Sequence, residues 1–314
     1  MMRMNLKQLL KHNYGFSVNS INDAPRQFVA ETYFVETDHE KFFCKVISKQ
    51  LFIPAVIDSL PVLNKMHELG QNRINYPIST LKGDLSVTDN GSLVVLFNYI
   101  DAPQSYDYDN FTLGKLLAEI HQLSEQMNAI TPKEMFRFKH ADIFEKKLEE
   151  LVQLKSSNVT EQTASALLQE NHEDLIRLYK VFRNISLTCQ KSDDWQMILT
   201  HGDAPGNILV NSPTDFYIVD WDDILFAPSE RDLWFLLDKQ DFIRGYQSVR
   251  HDYEVNELSA RYYLFSRYFN DLIEYWAEIF GEFSDSHKKS NFEQMKKELF
   301  EDEGWLYPQI KKFI

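Results

Sequence analysis

Two short polar stretches in the second half of the chain carry residues that could do chemistry together. The first, LTHGDAPGNILV, places His201, Asp203 and Asn207 in a turn punctuated by glycine and proline, with apolar residues on both sides. The second, FYIVDWD, is an apolar run that ends on Asp220. Because the polar segment 211–215 separates two apolar runs, the pattern predicts a β-hairpin with Asn207 and Asp220 close together at its open end.

An amide oxygen and a carboxylate are hard oxygen ligands, which Mg²⁺ accepts together with water and phosphate oxygens. With Asn207 and Asp220 as the predicted ligands of Mg²⁺, the neighbouring Asp203 is available to accept a proton from a hydroxyl group. Phosphoryl transfer from a nucleotide needs a positioned nucleophile, in-line geometry and a metal that neutralises the phosphate oxygens. The spacing therefore favours a phosphoryl-transfer site with Asp203 as its base.

The same residue types also occur in turns without a function, since Asp commonly caps a turn. A capped turn explains Asp203 alone equally well, whereas four such residues in order between apolar strands favour a site. We expect His201 to support the loop by bonding backbone groups near Asp220 and not to transfer protons. Asp222 and Asp223 follow directly and are interpreted as contacts to the substrate, as neighbours of the metal, or as solvated charges.

The elements that must position these residues differ between the two ends of the chain. Runs of β-branched and aromatic residues predict strands at 28–37, 42–47, 76–81, 85–88 and 92–100. Asn90 and Gly91 mark a turn before the last of these runs. Residues 53–69 have helical spacing, and Pro61 is expected to kink or interrupt that helix. The first hundred residues are therefore expected to form an antiparallel sheet and one helix.

Helices are predicted for most of the rest of the chain. Helical spacing of apolar residues is found at 111–124, 142–154, 161–187, 255–280 and 292–300. The pattern predicts an α+β fold, with a small β-rich N-terminal lobe in residues 1–100 and a larger, mostly helical lobe in residues 101–314.

The charge distribution limits the class of partner. The chain has a net charge of −14; its first hundred residues hold 10 basic and 9 acidic side chains, and the remainder holds 23 basic and 38 acidic ones. This balance argues against a nucleic acid or an anionic membrane as partner. An acidic surface of this kind keeps a protein in solution, and it also attracts cations such as a metal ion or an amine-bearing substrate.

The two cysteines and the apolar runs point to the cytoplasm. Cys44 and Cys189 are far apart and lack a metal-type spacing, so we expect free thiols in a reducing compartment. No apolar run reaches the length of about 18–20 residues that a membrane span needs. The first residues, MMRMNLKQLLKH, do not resemble a secretory signal.

The polar motifs resemble the catalytic centre of the aminoglycoside phosphotransferase and choline kinase-like family, small-molecule kinases that share the bilobal protein-kinase fold. The family's His-Gly-Asp, Pro-Gly-Asn and Ile-Asp-Trp blocks have counterparts at 201–203, 205–207 and 218–222. The helix LGKLLAEIH is similar to the family's Leu-Gly helix that ends in a histidine. APSERDLWF resembles the next family element, which implies that Asp232 braces the catalytic loop through backbone amides.

The segments DWDDILFAPSERDLWF and RYYLFSRYFNDLIEYW are most similar to the spectinomycin phosphotransferase-like members of the family. One spacing differs: the family usually has five steps between the catalytic Asp and the metal-binding Asn, and here Asp203 and Asn207 are four apart. The following gap, from Asn207 to Asp220, is thirteen, as the kinase pattern requires. The loop before the metal pair is thus one residue short.

The resemblance also implies a nucleotide site in the first hundred residues. Lys45, in the strand FFCKVI, is where the family holds the α and β phosphates. Its acidic partner on the helix is either Asp58 or Glu68, and we favour Asp58 because Glu68 lies at the helix end. The loop NSINDAPRQ contains no glycine, yet its backbone amides are expected to face the phosphates.

Four residues at the end of the last predicted strand should form the hinge that binds the base. These residues are Phe97, Asn98, Tyr99 and Ile100. A plain core strand leading into a polar linker explains the same pattern.

The leading hypothesis is an enzyme that transfers the γ-phosphoryl group of ATP or GTP to a hydroxyl of a small, cationic or polyhydroxylated molecule, such as an aminoglycoside or aminocyclitol antibiotic. A kinase of choline or of an amino-alcohol metabolite, and a non-catalytic nucleotide-binding pseudokinase, remain alternatives. A protein kinase is disfavoured by the helical insertion at 142–187 and by the lack of an Ala-Pro-Glu motif. We expect a monomer or a homodimer.

Overall fold

The structure is a computed structural model that describes residues 2–25, 30–127, 132–151 and 156–314. Residues 26–29, which belong to the end of the predicted loop and the start of the predicted strand at 28–37, lie outside the described residues. The same holds for residues 152–154 of the helix predicted at 142–154. The chain forms two compact units, one made of Met1–Lys133, Gln196–Asp232 and Leu236–Tyr253, the other of Glu134–Trp195, Leu233–Phe235 and Glu254–Ile314. The boundary between lobes at residue 100 remains a prediction.

The first unit contains a five-stranded antiparallel sheet, as predicted, and begins with helix α1, a second helix that was not predicted. The elements are α1 (Met2–Tyr14), β1 (Val18–Asp23), β2 (Glu31–Thr37), β3 (Lys41–Ile47), β4 (Val87–Asp89) and β5 (Ser92–Asn98), with the strand order β1-β2-β3-β5-β4. Lys45 on β3 is paired with Thr32 on β2 and with Val95 on β5, so it lies on an interior strand. The turn between β4 and β5 has positive φ at Asn90 (47°) and Gly91 (80°), as the Asn-Gly pair predicts.

Three local predictions for this unit differ from the structure. Residues 19–23 of the predicted loop belong to strand β1, which is paired with β2. Helix α2 (Ile53–Glu68) continues through Pro61 without interruption, because the apolar side chains around the proline, including Leu60, Val62 and Leu63, are buried and stabilise the helix. Residues 76–81 form an isolated bridge between Pro77 and Phe97 instead of a strand. Proline has no N–H group to donate, which limits the ladder at this position.

The remaining elements of the first unit carry the polar motifs. They are α3 (Asn110–Gln122), β6 (Ile198–Thr200), β7 (Ile208–Ser212), β8 (Asp215–Ile218), β9 (Leu225–Ala227), the start of α7 (Glu230–Leu233) and α8 (Gln240–Gln247). The strands form two antiparallel pairs, β6 with β9 and β7 with β8. The second pair is the predicted hairpin.

Helices α3 and α8 cross at two glycines. A Cβ atom on Gly114 would lie 2.1 Å from the carbonyl oxygen of Phe242, and one on Gly245 would lie 2.0 Å from that of Phe111. Only glycine permits such a close approach of the two backbones. The crossing brings His121, at the end of α3, within hydrogen-bond distance of Tyr246 on α8.

The second unit is helical. Its helices are α4 (Ala141–Leu151), α5 (Val159–Glu170), α6 (His172–Lys191), α9 (Glu257–Phe280), α10 (Asp285–Phe300) and α11 (Tyr307–Ile310). The single helix predicted for 161–187 is divided at Asn171 into α5 and α6. Phe144, Phe182 and Phe269 are buried and pack together, so the aromatic face of α9 is core. In the described ranges, no helix has an apolar stretch that would span a bilayer.

Candidate active site

The hairpin of β7 and β8 brings the predicted metal ligands to one end. Ile208 is paired with Ile218, and the backbone N–H of Val219 donates to the carbonyl oxygen of Asn207 at 2.9 Å. Asn207 and Asp220, which flank these pairs, both line a cavity of about 500 Å³. The juxtaposition predicted from the sequence is therefore present in the structure.

The cavity is lined by apolar residues and by a charged pair, Lys45 and Asp220, whose location is called the polar end. Phe43 on β3 and Leu209 and Val219 of the hairpin line it together with Lys45 and Asp220. A volume of this size and a few polar groups among apolar ones are typical of sites for small molecules and cofactors.

Three of the four predicted hinge residues line the same cavity, namely Asn98, Tyr99 and Ile100. Phe97 does not: it is buried in β5, with its ring centroid 5.8 Å from Lys45 Nζ.

Lys45 is almost completely buried, and its ammonium group binds two carboxylates. Its Nζ atom lies 2.6 Å from Asp220 Oδ1 and 3.0 Å from Asp222 Oδ2. Burial disfavours the charged form, but the two carboxylates, Asp222 foremost, outweigh it and raise the pKa of Lys45. Lys45 is thus a fixed cation at the polar end of the cavity.

The partner predicted for Lys45 on the helix was wrong. Asp58 is exposed on α2, which buries an apolar face that includes Val56 and Leu60. Glu68 instead interacts with Asn64 on its own helix. The acidic partners come from the segment after β8, because the side chain of Lys45 faces the hairpin.

The two carboxylates beside Lys45 differ in their ionisation. Burial opposes the charge of Asp220, but the ammonium of Lys45 outweighs it and lowers the pKa of this carboxyl. In Asp222, burial outweighs the same ammonium and the pKa is raised. Asp220 also has a φ of 65°, a strained conformation for a residue with a side chain, of the kind that clusters at functional sites.

The arrangement fits a divalent cation. Asp220 and Asp222 already converge on one positive charge, and the amide of Asn207 adds a third oxygen donor on the cavity wall. Among the described residues, no group of three or more His, Cys, Asp or Glu side chains could hold a metal. A bound Mg²⁺ would therefore take part of its coordination from phosphate and water, as this ion commonly does.

Asp203 is exposed at the start of a short 3₁₀-helix, Ala204–Gly206. The Nδ2 group of Asn207 donates to the carbonyl oxygen of Asp203 at 2.9 Å. The four-step spacing is accommodated by this tight turn, which holds the predicted base beside the predicted metal ligand.

Both ring nitrogens of His201 are bonded to backbone groups. Nε2 lies 2.9 Å from the carbonyl oxygen of Val219, and Nδ1 accepts the backbone N–H of Asp203 at 3.1 Å. A carbonyl only accepts and an N–H only donates, so the ring carries its hydrogen on Nε2. His201 thereby connects the loop of Asp203 to the strand end before Asp220.

Asp232 is buried beneath the same loop. Its carboxylate accepts the backbone N–H groups of His201, at 2.8 Å, and of Gly202, at 2.5 Å, and lies 3.0 Å from His121 Nε2. Burial opposes the ionisation of Asp232. Other effects, of which the hydrogen bond from His121 is the largest, outweigh burial and lower the pKa of Asp232. His121 is in turn 2.7 Å from the hydroxyl of Tyr246.

Arg231 also contacts this loop, and the sequence motifs did not indicate it. Its guanidinium donates to Thr200 Oγ1 at 3.0 Å and to the carbonyl oxygen of Asp223 at 2.8 Å. The Asp223 side chain itself is exposed. Gly202 has a φ of 96°, and a Cβ there would lie 2.3 Å from the guanidinium. The only sequence signal for Arg231 was its position directly before Asp232, the residue predicted to support the catalytic loop.

Three solved structures with known ligands or activities have similar folds. A spectinomycin phosphotransferase, APH(9)-Ia, in complex with ADP and spectinomycin is 21% identical with a TM-score of 0.79, over 99% of this chain and 98% of that chain. A microcompartment-associated aminopropanol kinase is 15% identical with a TM-score of 0.62, over 96% and 98%. The GDP and kanamycin complex of APH(2")-IIia is 13% identical with a TM-score of 0.59, over 94% and 98%.

These similarities confirm the predicted α+β, protein-kinase-like fold. No curated protein matches the chain in sequence. A model of the phosphotransferase enzyme family matches residues 22–264, more than three quarters of the chain, including strands β2 to β5, the hairpin and Asp232. The chain therefore belongs to the phosphotransferase enzyme family and, as its motifs predicted, is an enzyme that transfers phosphoryl groups to small molecules.

Proposed function

We propose that the enzyme transfers the γ-phosphoryl group of a purine nucleoside triphosphate, ATP or GTP, to a hydroxyl of a small amine-bearing molecule, with Mg²⁺ as cofactor. One observation carries the proposal: a buried cation, Lys45, and two oxygen ligands, Asn207 and Asp220, line the same cavity as the residues Asn98 to Ile100. A base, a triphosphate and a metal ion have complementary partners there.

In this proposal the base lies between Phe43 on one side and Leu209 and Val219 on the other. The backbone at Asn98 to Ile100 binds its edge, and Lys45 binds phosphate oxygens at the opposite, polar end. Apolar side chains on both faces of a purine remove it from water, which favours binding.

Asn207 and Asp220 would hold Mg²⁺, with Asp222 beside them. Bound there, the ion neutralises the phosphate oxygens as negative charge develops on the leaving group. The strained backbone of Asp220 and the hydrogen bond between Val219 and Asn207 keep both ligands in position.

Asp203 is proposed as the base. The hydroxyl oxygen of the acceptor attacks the γ-phosphorus, the bond from this phosphorus to the β–γ bridging oxygen breaks, and the electron pair leaves with the nucleoside diphosphate. The hydroxyl proton passes to the carboxylate of Asp203. Its exposure leaves room for an acceptor molecule.

The class of acceptor is supported by charge and by similar structures. Residues after 100 hold 23 basic and 38 acidic side chains, a net charge of −15, which attracts an amine. An aminocyclitol antibiotic is the favoured acceptor because the spectinomycin phosphotransferase is similar over 99% of this chain. A small amino alcohol is the second candidate, since an aminopropanol kinase also shares the fold. A pseudokinase is disfavoured because nucleotide binding alone does not need Asp203.

The proposal is tested by measuring nucleoside diphosphate formation with Mg²⁺, ATP or GTP, and a panel of aminocyclitols, aminoglycosides, choline and amino alcohols. Acceptor-dependent turnover that requires Mg²⁺ is expected for at least one amine-bearing compound. Asp203→Asn should lower the turnover rate about 10²- to 10⁴-fold, whereas Asp215→Asn, at the exposed turn of the hairpin, should leave it unchanged. Nucleotide binding without turnover of any acceptor would instead indicate a pseudokinase.

A further inference from the structure

We propose that the side-chain amide of Asn75 forms hydrogen bonds with the N6 and N7 atoms of adenine. This contact makes the enzyme select adenine over guanine nucleotides. This inference rests on the proposed function and specifies its donor. It assigns a base-reading role to a side chain on the segment between α2 and the sheet.

Asn75 is a buried polar residue with an unsatisfied atom. The residue is 6% exposed, and its Oδ1 atom has no hydrogen-bond partner among the described residues. Three other buried side-chain atoms share this property, those of Tyr14, His67 and Asn270, but of the four residues only Asn75 lines the cavity. Since an unpaired buried polar atom is costly and rare, it calls for a partner, and the cavity is where a ligand would supply one.

The backbone on both sides of Asn75 is fixed. On the N-terminal side, the carbonyl oxygen of Arg73 accepts the N–H of Ile218 at 2.9 Å, and Ile74 forms a bridge to the same residue. On the C-terminal side, the N–H of Tyr76 donates to Asn98 Oδ1 at 2.7 Å. The backbone that carries the amide is therefore fixed before a ligand binds, which reduces the entropic cost of recognition.

Through its neighbour, Asn75 is connected to the strand end that carries the predicted hinge. Tyr76, its neighbour, is hydrogen-bonded in both directions to Asn98, the first predicted hinge residue that lines the cavity. The phosphate end already has its cation in Lys45. A neutral amide beside the hinge strand is suited to the edge of a purine that the hinge backbone does not reach.

An asparagine amide matches adenine and not guanine. Its oxygen accepts from the N6 amino group and its NH₂ donates to N7, the same two-bond pairing by which Asn recognises adenine in DNA. Guanine offers two acceptors, O6 and N7. Whichever way the amide is turned, either O6 or N7 of guanine faces the amide oxygen. That pair of acceptors repels, and only one hydrogen bond can form.

The test measures the dissociation constants of ADP and GDP with Mg²⁺ and no acceptor, by calorimetry, for the wild type, Asn75→Leu and Asn211→Leu. The wild type should prefer ADP. Asn75→Leu should lower ADP affinity by about 5- to 150-fold, the usual worth of a two-bond base contact. GDP affinity should change much less, because the loss of one hydrogen bond is offset by relief of the repulsion. Asn211→Leu, at the exposed turn of the hairpin, should behave as wild type.

A second arm uses the wild type alone, so that it does not depend on how the variant folds. 7-Deaza-ADP lacks the N7 acceptor, and the diphosphate of purine riboside lacks the N6 amino group; both should bind more weakly than ADP. In Asn75→Leu, each analogue should bind as ADP does. Thermal unfolding without nucleotide should show no loss of stability for Asn75→Leu, because the change removes an unsatisfied polar group.

Two results would overturn the inference while leaving the proposed function intact: ADP binds but its preference over GDP is the same in Asn75→Leu, or the wild type binds 7-deaza-ADP as tightly as ADP. If the wild type binds neither ADP nor GDP, the proposed function fails as well. An amide with a purely structural role would lower the unfolding temperature and leave the preference unchanged.

Discussion

The carboxylate of Asp232 lies 3.0 Å from His121 Nε2 and accepts, on the other side, the backbone N–H groups of His201 and Gly202. One buried charge therefore connects the end of α3 to the loop that carries Asp203. Since Tyr246 on α8 contacts the other nitrogen of His121, the position of the proposed base depends on the packing of two helices.

Asp232→Asn should lower the free energy of unfolding at pH 7 by about 1–3 kcal/mol, because buried donors lose a charged acceptor. The folded-state pKa of Asp232 is lowered, so its ionisation contributes stability above the unfolded pKa of about 3.9, and this contribution is lost as the pH falls through the folded value. The difference between wild type and Asp232→Asn should therefore be largest near neutral pH and shrink below about pH 4. Urea unfolding across this range checks it, with Asp215→Asn as the control; a difference independent of pH contradicts it.

Gly202→Ala should destabilise the loop by about 1–3 kcal/mol, since its φ of 96° is strained for alanine and its Cβ would meet the guanidinium of Arg231. Gly206→Ala is the matched control, because its Cβ would have no neighbour nearer than 3.4 Å. Combining Gly202→Ala with Arg231→Gln should cost less than the sum of the two single changes, measured as unfolding free energies in a double-mutant cycle. Additive losses would show that the contact with Arg231 is not the cause.

Local patterns predicted the parts of the site that depend on neighbours in sequence. The hairpin followed from two apolar runs around a polar turn, and it brought Asn207 and Asp220 to one cavity. Lys45 followed from its place in a strand, together with the family resemblance. In each case the determining residues lie within a few positions of one another.

Contacts between distant segments could not be predicted in this way. The partner of Lys45 depends on which element its side chain faces, and Asp58 was chosen only because it lies on the neighbouring helix. The role proposed for Asn75 depends on bridges to Ile218 and Phe97, which have no local signal. Likewise, no spacing rule links Gly114 on α3 to Gly245 on α8, although the close approach of these two helices positions His121.

Lys45→Met should weaken the binding of ADP, measured with Mg²⁺ present, by about 10- to 150-fold, the loss expected for hydrogen bonds to a charged group. Lys41→Met is the control on the same strand: Lys41 is exposed and its ion-pair partner is Glu36. Calorimetric titration of both variants measures the change. Equal affinities for the two would show that Lys45 supports the fold through Asp220 and Asp222 and does not bind phosphate.

Asp203→Asn should lower kcat about 10²- to 10⁴-fold, the range for loss of a general base, and leave the affinity for Mg²⁺ and nucleotide unchanged. The reason is that Asp203 is exposed and the cavity is lined by Asn207 and Asp220, so only the proton acceptor is altered. Asp220→Asn should instead act on binding: the nucleotide affinity should fall, and the reaction rate should depend less on the Mg²⁺ concentration. Steady-state rates and nucleotide titrations on both variants distinguish the roles. If Asp203→Asn retains the wild-type kcat on an accepted substrate, the short loop does not present Asp203 to the hydroxyl, and a different group accepts the proton.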